Sequence, residues 1–322
     1  MSAPVLHRSI DDALGPGADR FFGSRYRDVH QSLRLREATV DGESVRVSGS
    51  MAIDYPAAWS SKGERSVTPH VSTIDGAVTA ALLGVELLRC ATTAAPEQIT
   101  GAWIDDLGLR AGGSPQEDAT TVPVRAAVRT DPESAGSGLV VRAELGSMRI
   151  DFTLRVPGGI QIEQVPRTLT AAPVGGTAYH GSEVALTDVA LDLGRDTASA
   201  TLTVPVRRDD SAYRELAGRY PDSLGDVQHV VAVAQVAQAL LYELDGVPRS
   251  RSNTLWMRSY RALRTAAPTP LSDAEQVRVA VEDHSVVEMD GHWWSLSEWS
   301  ASCAGVASTF DVAHRLPEGG AR

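Results

Sequence analysis

One succession of patterns runs through this chain twice, and that repetition limits the fold more than any single motif does. Gln31 to Val40 and Ser44 to Ile53 alternate as half-buried strands do, and Asp41-Gly42 between them is a strong hairpin signal. Glu183 to Leu193 and Ser199 to Val206 repeat the pattern around Gly194 to Asp196. A polar loop and one long apolar helix follow each hairpin. The first helix is expected to begin near Ser72, with Ile74, Val78, Ala81, Leu82, Val85 and Leu88 on one face. The second is expected near Ser223, with Val227, Val230, Val231, Ala234, Leu241 and Leu244 in the same rhythm. Ser72 before Asp75 and Ser223 before Asp226 both have the spacing of a capping box.

After each helix a strand carries a tryptophan early on, Trp103 and then Trp256. Further strands are expected over Val122 to Thr130, Leu139 to Leu145 and Met148 to Val156, then over Glu275 to Asp283, Gly291 to Ser300 and Val306 to Ala313. Pro157 to Tyr179 is rich in Pro, Gly and Thr without periodicity, and reads as a linker between halves 1–156 and 180–322. A single apolar helix followed by an antiparallel sheet must be covered by that sheet, because nothing else in the half can cover it. Each half is therefore expected to be a hot dog. The whole becomes an α+β double hot dog whose sheets join edge to edge and hide their open strands. Two unrelated α+β domains are the other architecture, and they leave the repetition unexplained.

Composition narrows the function. The 322 residues carry a net charge of −11, which argues against a nucleic acid or an anionic membrane held by general electrostatics, although a small basic pocket remains compatible with it. Lys62 is the only lysine, so Schiff-base chemistry would have to run through it. Cys90 and Cys303 have apolar neighbours and read as small buried hydrophobes. Met1 to Ile10 has no apolar core of the kind a secretory signal needs, and no apolar run approaches a membrane span, so a soluble, cytoplasmic chain is expected. His284, His292, Trp293 and Trp294 match no metal-ligand spacing, and there is no dinucleotide fingerprint, phosphate loop or nucleophile elbow. Neither metal nor cofactor is expected.

Chemistry is expected near the helix starts, where unpaired N–H groups and the positive end of the helix dipole can hold an oxyanion. His70, after Pro69 and just before Ser72, is the candidate general base. The second half has Pro221-Asp222 there instead, with Asp226 and His229 at the next helix and Gln235 further along it. The expected site is composite, with His70 facing Asp226 or His229 of the other half. Asp75 and Asp226 read equally as capping carboxylates, His229 as a satisfied core histidine, and Gln235 as a backbone partner. Trp103 and Trp256 are pocket wall or core. Arg258, with Tyr260 on the same strand, is placed either to clamp a phosphate or to lie on a solvated face.

Several strings then resemble the AvrD family. They are Ile10-Asp11-Asp12 with Leu14-Gly15, Arg20-Phe21-Phe22, Asp54-Tyr55-Pro56 with Trp59, Pro69 to Gly76, Pro115-Gln116-Glu117-Asp118 and Gly146-Ser147-Met148. The resemblance is dense in the first half and thinner toward the C-terminus. It implies synthesis of acyl-sugar butenolides of the syringolide type, chemistry related to that of the A-factor synthases. A β-ketoacyl chain, carried as a thioester on an acyl carrier protein or CoA, would be joined to a ketose such as xylulose 5-phosphate. A dehydratase or thioesterase of polyketide metabolism shares the expected fold and histidine, and a non-catalytic acyl- or butenolide-binding protein is a third reading. Whether the chain is a monomer or a homodimer stays open.

Overall fold

The structure is a computed structural model that describes residues 3–134, 136–163, 169, 174–175, 179–204 and 215–317. Fourteen strands form one sheet. In the N-terminal part of the chain they are β1 (Val5–Ser9), β2 (His30–Asp41), β3 (Ser44–Asp54), β6 (Trp103–Arg110), β7 (Val122–Thr130), β8 (Gly138–Leu145), β9 (Met148–Arg155) and β10 (Val174–Gly175). In the C-terminal part they are β11 (Ala185–Asp192), β12 (Thr197–Thr203), β13 (Leu255–Arg264), β14 (Glu275–Met289), β15 (His292–Cys303) and β16 (Val306–Arg315). A separate small hairpin pairs β4 (Ser61–Lys62) with β5 (Arg65–Ser66). The helices are α1 (Ile10–Leu14), α2 (Thr73–Ala91), α3 (Pro96–Gly101) and α4 (Asp226–Leu244).

The seam of the sheet is the antiparallel pair β6–β13, with Tyr260 opposite Leu109 and Arg261 opposite Gly108. Outward from the seam the order is β6-β9-β8-β7-β3-β2 on one side and β13-β16-β15-β14-β12-β11 on the other. Each element occupies the place of its counterpart in the other half. β1 covers the open edge of β11, and β10 covers that of β2. The alternating burial of β7, β8, β9 and β12 leaves one sheet face dry. α2 lies against β2, β3, β6 and β9, α4 lies against β11, β12, β14 and β15, and the two helices touch each other. Both are 19 residues long and almost wholly buried, which a lone sheet-covered helix requires.

Several expectations are corrected. Ser72 does cap α2, and its capping box with Asp75 is present. The matching box at Ser223 does not form: α4 starts later, its N-cap is Gly225, and the Ser223 hydroxyl donates to the Tyr220 carbonyl instead. β14 runs on to Met289 rather than stopping at Asp283, and turns through Asp290 and Gly291, both at positive φ. The Pro157–Tyr179 stretch is not wholly without structure, since it contributes β10 and the buried Tyr179. The end of the expected strand Ser199 to Val206 lies partly outside the described residues. Cys90 and Cys303 are buried free thiols whose burial pushes them up to about 11 and about 12. No helix among the described residues is long and apolar enough to cross a membrane.

Candidate active site

The loop before α2 is built around Asp75. Its carboxylate accepts from Ser72 N (2.8 Å) and Ser72 Oγ (2.7 Å), from Gln31 Nε2 (2.8 Å) and from the Tyr55 hydroxyl (2.7 Å). Tyr179 in turn donates to Gln31 Oε1 at 2.5 Å. Asp75 is fully buried and its carboxylate accepts four hydrogen bonds, so it ties the loop together and does not line the cavity above it. Gly76 in the next turn lets the sheet close on the helix, because a Cβ there would stand 2.7 Å from Met148 Sδ.

Above this network lies a cavity of about 150 Å³. His70, Ser72 and Thr73 line it from the start of α2, and Trp256, Gln238 and Tyr242 line it from the C-terminal half. His70 Nδ1 stands 3.1 Å from the Thr68 carbonyl, an arrangement that places the proton on Nδ1 and leaves the Nε2 lone pair free. The imidazole meets the Trp59 ring edge to face at 5.1 Å. In the first turn of α2 the capping box uses the N–H groups of Ser72 and Asp75, while those of Thr73 and Ile74 have no intrahelical acceptor. His70 and the Thr73 end of α2 thus stand at one cavity.

The remaining walls hold what the sequence did not single out for this place. Arg20, Lys62 and Arg249 all line the cavity, and no carboxylate does among the described residues. Arg20 is 3% exposed, donating to Gln235 Oε1 at 2.6 Å and pairing with Asp11. Burial lowers its guanidinium, Asp11 opposes that, and Arg249 lowers it further. Lys62 donates to Ser252 Oγ (2.8 Å), to the Tyr242 hydroxyl (3.3 Å) and to the Asn253 carbonyl. The single-lysine count and the Arg20-Phe21-Phe22 string were the available signals, but neither said that the two residues meet.

The other expected residues go elsewhere. Asp226 and Trp103 line a second cavity of about 160 Å³ at the start of α4, the counterpart of the first. Burial raises the Asp226 carboxyl, and Arg264, 4.0 Å away, opposes it. His229 is buried with Nδ1 2.7 Å from the Tyr260 hydroxyl, and neither residue lines the first cavity. The expected pairing of His70 with His229 or Asp226 is therefore not formed. Gln235 supports Arg20 and does not line the cavity. Arg258 falls at a break in register between Met257 and Ser259, so the alternation that would have put it beside Trp256 fails and its side chain is exposed. Only its backbone touches the site's border, accepting from Ala111 N at 3.0 Å.

A family model described as Pseudomonas avirulence D protein (AvrD) matches residues 5–317. The chain belongs to the AvrD family. No curated protein matches it. Among solved structures, the dehydratase domain of the polyketide PpsC from Mycobacterium tuberculosis is 11% identical, with a TM-score of 0.37, covering 87% of this chain and 96% of that one. A conserved hot-dog-fold protein of Alicyclobacillus acidocaldarius is 13% identical, with a TM-score of 0.36, and again 87% of this chain and 96% of that one are covered. Chemistry for this AvrD-family member has to come from its own residues.

Proposed function

We propose that this AvrD-family protein is a double hot-dog enzyme, with halves 1–156 and 180–322 joined by 157–179, that transfers a β-ketoacyl group from a carrier-protein or CoA thioester to a ketose such as xylulose 5-phosphate. The product is an acyl-sugar ester that closes to a butenolide precursor of a syringolide-like signal. The observation that carries this reading is one cavity lined by both the His70 imidazole and Thr73, the first residue of α2. His70 Nε2 takes the proton of a sugar hydroxyl as its oxygen adds to the thioester carbonyl. The Thr73 N–H at the cavity wall holds the resulting oxyanion, an interaction of about 3 kcal/mol for a well-placed donor. Collapse expels the thiolate, which leaves with the proton from His70. The methylene between two carbonyls then gives a proton to His70, its carbon adds to the ketose carbonyl and closes the ring, the alkoxide takes that proton, and loss of water forms the ring double bond. Because Asp226 and His229 lie away from this cavity, His70 serves both steps.

Mass spectrometry of products from the purified protein, a β-ketoacyl thioester and xylulose 5-phosphate tests the reading. A new mass equal to the joined acyl and sugar groups is expected, and His70→Ala should lower its formation at least about tenfold. An unsaturated thioester or a free acid in place of the joined product would move the assignment to a dehydratase or thioesterase. Retention of an unchanged ligand would indicate a binding protein.

A further inference from the structure

We infer that the wall formed by Arg20, Lys62 and Arg249 is an anion subsite, built to hold the phosphate monoester of a short substrate whose other end reacts at His70. The inference rests on the reading of the cavity as an active site and adds to it that the sugar must be phosphorylated.

The protein as a whole carries a net charge of −11, yet these three cations line a single cavity with no carboxylate in its wall among the described residues. Among the described residues, the only ion pair that any of them makes is Arg20 with Asp11, whose side chain is half exposed. Asp19 acts favourably on Arg249, but Arg249 in turn lowers both Arg20 and Lys62. Gathering like charges in a largely buried wall is costly without an anionic partner. Two buried donors at the same cavity also lack acceptors, Arg20 Nε and Trp59 Nε1. Native structures rarely leave such groups unpaired. Arg249 Nη2 donates to the carbonyls of Ser61 (2.7 Å) and Asp19 (3.2 Å), and the rest of its fork has no acceptor among the described residues. Lys62 has spent its three N–H groups and contributes charge alone.

The charge count favours a dianion. With Asp11 set against Arg20, Arg249 and Lys62 remain, and a bound phosphate dianion would hold the proton on Lys62 where a singly charged carboxylate would do so less well. Size favours a short molecule. His70 and the cations share about 150 Å³, whereas the phosphates of CoA or of a carrier protein's pantetheine stand a whole pantetheine arm from the thioester. A phosphate in the same cavity as the reacting group suits a short substrate better than CoA.

The test is isothermal titration of the full chain with xylulose 5-phosphate, xylulose, inorganic phosphate and CoA. The wild type should bind xylulose 5-phosphate at least about tenfold tighter than xylulose, with inorganic phosphate competing. Arg249→Gln, on a half-buried surface turn, should erase most of that preference and leave xylulose binding unchanged, with circular dichroism reporting the fold. Equal affinity of the wild type for the two sugars overturns the proposal. So does CoA competing with inorganic phosphate and losing affinity in Arg249→Gln, which would give the subsite to the acyl donor. If the phosphate preference and its loss in Arg249→Gln hold while no joined product forms from any pairing, the subsite stands and the condensation reading falls.

Discussion

The Tyr55 hydroxyl donates to Asp75 Oδ2 at 2.7 Å and lies 2.9 Å from the carbonyl oxygen of His70, tying the residue that carries the imidazole to the cap of α2. Removing that hydroxyl leaves a buried carboxylate oxygen one donor short. Tyr55→Phe is expected to lower stability by about 1–3 kcal/mol. It should also reduce kcat more than KM, because the loop that aims His70 loosens while the cavity walls remain. Urea unfolding and steady-state kinetics check the two halves of this expectation. A stable variant with wild-type kcat would show that the tie does not position His70.

His229 gives a pH dependence with a defined sign. Burial, then the charge of Arg264, pushes it down to about 3. The unfolded chain takes up that proton near pH 6.5, so between about 6.5 and 3 the unfolded state binds more protons and stability falls as the pH falls. The loss should reach a few kcal/mol by about pH 4, at roughly 1.4 kcal/mol per unit. His229→Gln should show a flatter profile of urea midpoint against pH. An equally steep profile in the variant would place the acid sensitivity elsewhere.

Lys62 acts with the same sign over a higher pH window. Burial, with Arg249 and Arg65 adding to it, pushes the ammonium down to about 7, while the unfolded chain keeps its proton to about pH 10.4. The unfolded state therefore binds more protons between those values, and this group makes stability rise with pH across that window. Phosphate binding should weaken over the same interval, because deprotonation removes a cation from the wall. Titrations from about pH 7 to 9, where a phosphate ester stays dianionic, should show the fall in wild type and a flat response in Lys62→Met. A flat response in wild type contradicts the assignment.

Arg258 provides a control outside the cavity. Its side chain is exposed at the register break of β13. Arg258→Ala should change stability by no more than about 0.5 kcal/mol and leave xylulose 5-phosphate affinity within about twofold. A tenfold loss of affinity would return the phosphate clamp to this strand.

Asp245 anchors the far end of α4. It is buried between His314 Nδ1 at 2.6 Å and His284 Nε2 at 3.3 Å. Asp245→Ala should cost about 1–3 kcal/mol, since it leaves the buried His314 Nδ1 without its acceptor, while the exposed His284 keeps Ser295 Oγ. Chemical denaturation measures it, and a loss below about 1 kcal/mol would mean the cluster relaxes around the gap.

The elements were legible because their signals are local. Strand alternation placed Val122–Thr130 without error, and the Ser72–Asp75 spacing found the first capping box. The same spacing misled at Ser223, where the hydroxyl finds a nearer acceptor in Tyr220 and the helix waits for Gly225. His70 was found from its place before a helix. The sequence leaves Arg258 between a phosphate clamp and a solvated face, and its exposed side chain at the register break of β13 fits the solvated face; no composition signal marks that bulge.

What the sequence by itself determined is the succession of hairpin, helix and strands in each half, the buried faces of α2 and α4, and the imidazole at the start of α2. Periodicity and capping act over a few residues, so the chain states them directly. Only the tertiary structure decided which side chains share the cavity. Arg20, Lys62 and Arg249 come from the N-terminal segment, a small hairpin and the turn after α4, and they meet only once β6 pairs with β13 and the halves close. That meeting is set by the pairing of distant strands, and nothing in the local pattern around any one of the three residues records it.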